Sequence, residues 1–220
     1  MVKTLLRRYL EDCRKLKTQV YWTHSFLDIL LKLIPLDVNS VIDVGCGKGL
    51  IGALLRIYRN PKRLIGIEIY DPYIQFVKKH RLYDEVLKWD LRKIPLPFMN
   101  NEFDLVICIE VIEHLKKDEG KQLLAELERI GNFVIISTPQ RFYEQPEYDN
   151  NPFQQHRSQW NWKEFKTMGY EVIGVGNFMV GNIEIPLLSY ALSRITICFP
   201  FISSHIIAYK EKFKSNKLIN

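Results

Sequence analysis

From about residue 40 onward, short apolar runs alternate with segments whose apolar positions recur at helical spacing. The apolar runs predict seven strands: Val41–Val44, Leu64–Ile69, Glu85–Lys88, Phe103–Ile109, Phe133–Ser137, Tyr170–Val175 and His205–Tyr209. The helical segments between them are Leu50–Tyr58, Pro72–His80, Asp118–Ile130 and Asn161–Met168. Strands that alternate with helices are typical of a parallel sheet covered on both faces. The pattern therefore predicts an α/β fold.

Two further helices, Leu5–Leu16 and Phe26–Leu33, are predicted ahead of the sheet. Tyr21, Trp22 and His24 lie in the connection between them. Clustered aromatic residues at such a position more often pack a helix onto its domain than bind a ligand. We therefore expect an N-terminal helical cap.

The apolar stretch from Pro186 to Ala208 is not predicted to span a membrane, because Arg194, Pro200 and His205 interrupt it. It is interpreted as a helix, a turn and a strand.

Composition indicates the class and the compartment but not the partner. The 220 residues are 47% hydrophobic and 25% charged, as in globular domains. The four cysteines include no C-x-x-C pair, and residues 1–10 lack the apolar core of a signal peptide, which predicts a cytoplasmic protein. The net charge of +6 would suit RNA or an acidic lipid surface, yet part of it lies in a C-terminal lysine run from Lys210 to Lys217. Charge alone therefore does not favour RNA.

A glycine-rich loop, V-I-D-V-G-C-G-K-G at residues 41–49, joins the first predicted strand to the next helix. Glycines at such a junction let the backbone turn tightly and approach a nucleotide-type ligand. Gly47, Gly49 and Gly52 also have the spacing of a dinucleotide-binding loop, which alone is a weak signal. A carboxylate at Asp43 would repel a pyrophosphate but attract the sulfonium and ammonium groups of S-adenosylmethionine. The loop therefore favours S-adenosylmethionine over a nicotinamide cofactor.

Acidic residues stand at the ends of the next two predicted strands. Glu68 comes 19 positions after Gly49, where a carboxylate can accept hydrogen bonds from both ribose hydroxyls. Asp90 follows the third strand, where it can accept from an adenine amino group while Leu91 covers the ring. Both positions suit an adenosine-containing cofactor.

Taken in order, these motifs resemble the class I S-adenosylmethionine-dependent methyltransferases, particularly the group that contains ubiquinone-pathway O-methyltransferases. The resemblance continues through I-G-I-E-I, W-D, F-D-L-V-I-C-I-E-V-I-E-H-L and F-V-I-I-S-T-P, and it covers about residues 40–176. It implies a Rossmann-like, doubly wound sheet of seven strands that is mostly parallel, with an antiparallel last strand. Over residues 1–220 it implies a single methyltransferase domain, with a helical cap at 1–38, a cofactor-binding half at 39–138 and an acceptor-side insert with the C-terminal strands at 139–220.

The resemblance also implies which residues bind the cofactor. The first loop would contact the methionine part, the second strand the ribose, the third the adenine, and the end of the fourth strand would border the sulfonium. The predicted set is Asp43, Gly45, Cys46, Gly47, Gly49, Glu68, Ile69, Asp90, Leu91, Ile109 and Glu110.

The methyl acceptor is not identified by these motifs, although a small-molecule or RNA hydroxyl is favoured. The long irregular insert Thr138–Trp160, rich in Pro, Gln, Asn and aromatic residues, is expected to cover the acceptor side. His114 and His156 are the candidate catalytic bases. Two other functions stay open: a non-catalytic regulatory module that binds S-adenosylmethionine, and a nicotinamide-dependent oxidoreductase, which Asp43 disfavours.

The segment Glu110-Val-Ile-Glu113-His114 permits a second interpretation. If it begins a helical turn, its two acids and its histidine share one face. A similar Glu-x-x-Glu-His in small-RNA terminal 2′-O-methyltransferases, joined by a later histidine, holds a divalent metal that positions the ribose hydroxyls, and the resemblance would make His156 that later residue. The primary prediction is nevertheless a metal-free site with His114 as base or orienting group.

Overall fold

The computed structural model describes residues 24–142, 144–147, 149–180, 183–184 and 195–212. The predicted helix Leu5–Leu16, the aromatic residues Tyr21 and Trp22 and the beginning of the apolar stretch at Pro186 lie outside them.

Helices and strands alternate through most of the described chain. The α-helices are α1 (His24–Leu33), α2 (Leu50–Tyr58), α3 (Asp71–His80), α4 (Lys117–Ile130) and α5 (Trp162–Thr167). The strands are β1 (Ser40–Val44), β2 (Arg63–Glu68), β3 (Glu85–Lys88), β4 (Phe103–Ile109), β5 (Gly131–Pro139), β6 (Glu171–Val180), β7 (Ile183–Glu184) and β8 (Ser203–Glu211). Short 3₁₀ helices occur at Ile112–His114, Pro152–Gln154 and Pro200–Ile202.

The strands form one sheet in the order β3-β2-β1-β4-β5-β8-β6-β7. The pairs among β1 to β5 are parallel, whereas β8 runs antiparallel to both of its neighbours. The prediction of a doubly wound, mostly parallel sheet whose last strand is antiparallel is therefore confirmed. The structure adds β7 to the seven predicted strands, since a two-residue strand is too short to leave a periodic signal.

The predicted end of β6 was too early. The structure continues this strand past Val175 to Val180, although its register against β8 shifts between Val175 and Phe178. Gly176 lies in that irregular stretch with a φ of 82°. A glycine inside an apolar run predicts a break, but here it permits a bulge and the strand resumes.

The core lies on both faces of the sheet, because helices cover both faces of the parallel strands. Val41 and Ile42 are fully buried neighbours in β1 that belong to opposite core clusters. Val41 packs on the side of α1 and α2, with Phe26 and Leu55, whereas Ile42 packs on the side of α4 with Leu123. The parallel strands end together at one edge of this sheet, where their loops meet.

Among the described residues, no helix combines the length and apolar character needed to cross a membrane.

Candidate active site

A cleft opens at the carboxyl edge of the parallel strands and encloses about 710 Å³, counting its open mouth. The strand-end loops and the insert line it through Gly45, Gly47, Ile67, Glu68, Ile69, Trp89, Asp90, Leu91, Arg92, Glu110, Val111, His114, Leu115, Asn151, Phe153, Gln154 and Arg157. Seven of the predicted cofactor-binding residues are in this set, together with the candidate base His114. Cys46, Gly49, Ile109 and Asp43 are not.

The glycine loop forms one wall of the cleft. The amides of Gly45 and Cys46 both donate to the carbonyl of Ile67, at 2.9 and 2.8 Å, which ties the loop to β2. Gly47 has a φ of 52°, and a side chain added there would meet no atom within 4 Å. This bare backbone allows close approach of a ligand.

Glu68 holds the loop and also faces the cleft. Its carboxylate accepts hydrogen bonds from the amides of Gly47, Ile69 and Tyr70, at 2.9, 2.8 and 2.9 Å. Burial raises the pKa of this carboxyl, and the three amide donors oppose that rise. Glu68 therefore fixes the loop whether or not it also accepts from a ribose.

Asp43 lies behind the glycine loop rather than in the cleft. Only 2% of the residue is exposed, and its Oδ2 accepts a 2.6 Å hydrogen bond from the Tyr83 hydroxyl. Burial raises the pKa of Asp43 to about 7, against the lowering effect of that hydrogen bond. This contact with Tyr83 does not test the charge argument for a cationic ligand. The influence of Asp43 on cofactor binding stays a prediction and would be transmitted through the loop.

Asp90 is at the cleft but is already paired. Its two carboxylate oxygens accept from Nε and Nη2 of Arg92, at 2.8 and 2.7 Å, and this pairing lowers the pKa of Asp90. Arg92 also lines the cleft, and its guanidinium lies 5.9 Å from the ring centroid of Phe153. The motif search missed Arg92, although a cation two residues after the candidate adenine-binding acid was visible in the sequence.

Glu110 does not begin a helical turn, contrary to one premise of the metal hypothesis. Its φ is 54°, and the 3₁₀ helix starts only at Ile112. The Glu110 carboxylate accepts from the hydroxyl of Ser137 at 2.6 Å and lies 3.5 Å from Nε2 of His205. Because of this positive φ, Glu110 is not on the same helical face as Glu113 and His114.

Glu113, His114 and His156 nevertheless meet beside the cleft. One potential ligand atom from each lies within 4.8 Å of the other two. The imidazole centroids of His114 and His156 are 5.0 Å apart. Glu113 and His156 are buried, and Oε2 of Glu113 accepts from the Thr138 hydroxyl at 3.1 Å. The structure therefore brings together three of the four residues that the sequence named as possible metal ligands.

The insert is fastened across the cleft to the cofactor side. Lys48 of the glycine loop forms a 2.6 Å ion pair with Asp149, and the Tyr70 hydroxyl donates to the carbonyl of Asn150 at 3.0 Å. The amides of Arg157 and Ser158 both donate to the carbonyl of Glu113. These contacts could not be read from the sequence, because each joins residues separated by at least 44 positions in the chain.

Residues 42–132 match the family model described as a methyltransferase domain. A small RNA 2′-O-methyltransferase of Rattus norvegicus is 29% identical over 171 residues, which cover 66% of this chain and 40% of that protein. A ubiquinone biosynthesis O-methyltransferase of Dechloromonas aromatica is 31% identical over 120 residues, covering 52% of this chain and 50% of the relative. The chain thus spans at most about half the length of either relative.

The fold has a solved counterpart in an S-adenosylmethionine-dependent methyltransferase from Archaeoglobus fulgidus, with a TM-score of 0.56 and 19% identity over 92% of this chain and 99% of that one. Its likeness concerns the fold, whereas the family model and the curated relatives concern the sequence of the glycine loop and strands. Residues 42–132 therefore match a methyltransferase domain in sequence, and the sheet has the fold of S-adenosylmethionine-dependent methyltransferases, whose cofactor is S-adenosylmethionine.

Proposed function

We propose that this protein methylates a ribose hydroxyl at the end of an RNA chain, with a divalent metal held by Glu113, His114 and His156. The observation that carries the proposal is the convergence of these three side chains within 4.8 Å beside the cofactor cleft.

The residues that line the cleft fit S-adenosylmethionine. Gly47 leaves open space beside its backbone, Glu68 faces the cleft, and Leu91 and Val111 add apolar surface. S-adenosylmethionine supplies an activated methyl group on a sulfonium, so the protein mainly has to align the acceptor and exclude water. We assign the adenosine part to the side of Glu68 and Asp90, and the methyl group to the side of Glu110 and His114.

The cluster suits a divalent metal. Burial and the neighbouring His156 lower the pKa of His114 to about 4, so its imidazole is neutral at pH 7 and has a lone pair to offer. Burial and the Glu110 carboxylate raise the pKa of Glu113, and a cation would favour its ionised form. One carboxylate and two imidazoles are a donor set that Mn²⁺, Fe²⁺, Co²⁺ and Zn²⁺ all accept.

A metal in this position would act as a Lewis acid toward an acceptor hydroxyl. His114 borders the cleft, so the cluster would hold the acceptor close to the methyl group. Thr138 orients the Glu113 carboxylate through its hydroxyl, and the backbone bonds from Arg157 and Ser158 fix the turn that carries Glu113. These contacts reduce the freedom of the ligands before any substrate arrives.

The likeness to the rat small RNA 2′-O-methyltransferase supports an RNA acceptor. The likeness to a ubiquinone biosynthesis O-methyltransferase instead supports an acceptor oxygen on a small molecule. The cluster favours the RNA hydroxyl, because a similar Glu-x-x-Glu-His with a later histidine holds a divalent metal in the small-RNA enzymes, and Glu113, His114 and His156 lie within 4.8 Å of one another here.

The deciding experiment supplies methyl-labelled S-adenosylmethionine and two kinds of acceptor. The first is a single-stranded RNA with either a 2′-hydroxyl or a 2′-deoxy group at its 3′ end, and the second is a catechol. We expect label only in the RNA with the terminal 2′-hydroxyl, its loss after chelation, and its recovery with Mn²⁺ or Co²⁺. Label in the catechol that persists with chelator, or cofactor binding with no transfer to either, would contradict the proposal.

Variants of the cluster separate a metal site from a structural one. Glu113→Gln, His114→Ala and His156→Ala should each lower turnover at least tenfold and weaken Mn²⁺ binding, while the affinity for S-adenosylhomocysteine stays within about threefold. The matched control is Glu85→Gln, an exposed carboxylate in β3. Full activity in His114→Ala would show that the cluster only supports the fold.

A further inference from the structure

A second depression, which we call the basic groove, opens where the two ends of the insert meet α5 and the 3₁₀ helix Pro200–Ile202. It is lined by Gln140, Arg141, Phe142, Gln159, Asn161, Trp162, Lys163 and Phe201. Among these residues two carry a positive charge and none is acidic. The groove is therefore electrostatically suited to an anion.

Large, exposed aromatic side chains line the basic groove. Phe142 is 49% exposed and Phe201 is 53% exposed, while Trp162 is half-buried. Lys163 places its ammonium 5.7 Å from the centroid of the Trp162 ring. Aromatic faces interleaved with cations form the surface on which unpaired bases stack while their phosphates are neutralised.

Polar contacts hold the walls of the groove in place. Nε2 of Gln140 donates to the carbonyls of Pro200 and Ser203, at 2.7 and 3.1 Å, and so ties the segment after β5 to the 3₁₀ helix that carries Phe201. Asn161 caps α5, where its Oδ1 accepts from the amides of Lys163 and Glu164. These hydrogen bonds fix the backbone segments that carry Phe201 and Lys163.

Two chain segments connect the basic groove to the cluster and the cleft described above. Thr138, which bonds to Glu113, is two residues before Gln140 of the groove. Arg157, which lines the cleft, is two residues before Gln159 of the groove. Two residues of extended chain reach at most about 7 Å, so Gln140 and Gln159 of the groove lie within that distance of Thr138 and Arg157.

We propose that the basic groove binds the single-stranded nucleotides that precede the methylated terminal ribose of an RNA substrate. This inference rests on the proposed function and adds the class of acceptor, a single-stranded RNA longer than two nucleotides. Bases stack on Phe142 and Phe201, and Arg141 and Lys163 neutralise phosphates. Stacking and charge together select a nucleic acid over an acidic peptide, which offers no flat rings at regular spacing.

The test compares a ten-nucleotide single-stranded RNA with a dinucleotide that has the same 3′ end. In the full chain, Phe142→Ala combined with Phe201→Ala should lower the ratio of kcat/KM for the long RNA to kcat/KM for the dinucleotide at least tenfold. Arg141→Ala combined with Lys163→Ala should lower the same ratio and reduce the slope of log affinity against log salt by about 0.7 for each phosphate that is no longer neutralised. A merely structural defect would not change the salt slope.

The control pair is Tyr58→Ala with Lys62→Ala, an exposed ring and an exposed cation after α2 at the opposite edge of the sheet. It should leave the ratio unchanged. If the long RNA and the dinucleotide are both methylated but the groove variants keep the wild-type ratio, the groove proposal is wrong and the proposed function survives. If neither RNA is methylated, the proposed function fails first. Equal inhibition by an acidic peptide and by the RNA would also overturn the groove proposal.

Discussion

The Tyr83 hydroxyl donates a 2.6 Å hydrogen bond to the buried carboxyl group of Asp43, directly behind the glycine loop. The Tyr83 ring fills the space left by two glycines: a side chain at Gly52 would come within 2.4 Å of it, and one at Gly66 within 3.3 Å. A side chain at Gly52 would therefore displace the Tyr83 ring that reaches Asp43, and one at Gly66 would press against it. The pair forms a buried support for the loop that approaches the cofactor.

Tyr83→Phe should weaken S-adenosylhomocysteine binding about three- to tenfold and destabilise the protein by about 1–3 kcal/mol, because Asp43 is left buried without its donor. Calorimetric titration and thermal unfolding measure the two effects. Tyr58→Phe, at a ring that is 56% exposed, is the matched control and should change neither. Unchanged binding in Tyr83→Phe would show that the pair does not support the loop.

The pH dependence of stability should report the buried carboxyl group. The pKa of Asp43 rises from 3.8 to about 7 in the folded protein, so between these values the folded state keeps a proton that the unfolded chain releases. Its contribution to stability is full at low pH and is lost as the pH rises through 7. Asp43→Asn cannot ionise, so the unfolding temperature of the variant minus that of the wild type should increase from pH 5 to pH 8. A difference that is constant with pH would contradict the assigned titration.

Two glycines of the loop should fail in different ways. Both Gly47 and Gly49 have positive φ, so alanine costs about 1–2 kcal/mol of backbone strain at either position. A side chain at Gly49 would also come within 2.7 Å of Leu82 and 2.8 Å of Val77, whereas Gly47 is open. Gly49→Ala should therefore lower the unfolding temperature more, while Gly47→Ala should lower cofactor affinity at least tenfold. The reverse ranking in calorimetry and thermal melts would exclude this assignment.

The insert should close more firmly over bound cofactor. Amides in 149–157 should exchange hydrogen more slowly when S-adenosylhomocysteine is added, since this segment lines the cleft and pairs with Lys48. Lys48→Met removes the ion pair with Asp149 and should speed exchange in the free protein, whereas Lys62→Met should not. If exchange in this segment does not respond to cofactor together with a methylated acceptor, the insert is not a lid.

Much of the fold could be predicted because its signals are local. The seven predicted strands and the helices α1 to α5 were predicted with ends within two residues of those observed, apart from β6, whose predicted end came five residues too early. Buried parallel strands leave continuous apolar runs, and glycine at the β1 end leaves a short motif. The same motifs predicted the cofactor and located Gly47, Glu68 and Asp90 at the cleft.

The partners of individual side chains could not be predicted from the sequence, because they depend on contacts between distant segments. The sequence indicated an acid at Asp43 but not its hydrogen-bond donor Tyr83, which is 40 positions away. The alternative metal interpretation required a helical turn from Glu110, which the positive φ of that residue rules out.

The sequence alone determined that this chain has a Rossmann-like α/β domain with an S-adenosylmethionine loop, since hydrophobic periodicity and glycine spacing are properties of neighbouring residues. Only the tertiary structure decided that His156, 42 positions after His114, joins Glu113 and His114 beside the cleft. Only the tertiary structure likewise placed Phe142 and Phe201 in the same groove. These contacts between distant residues depend on the path of the insert and on the position of β8 between β5 and β6. Both are determined by packing over the whole sheet and not by any local sequence pattern.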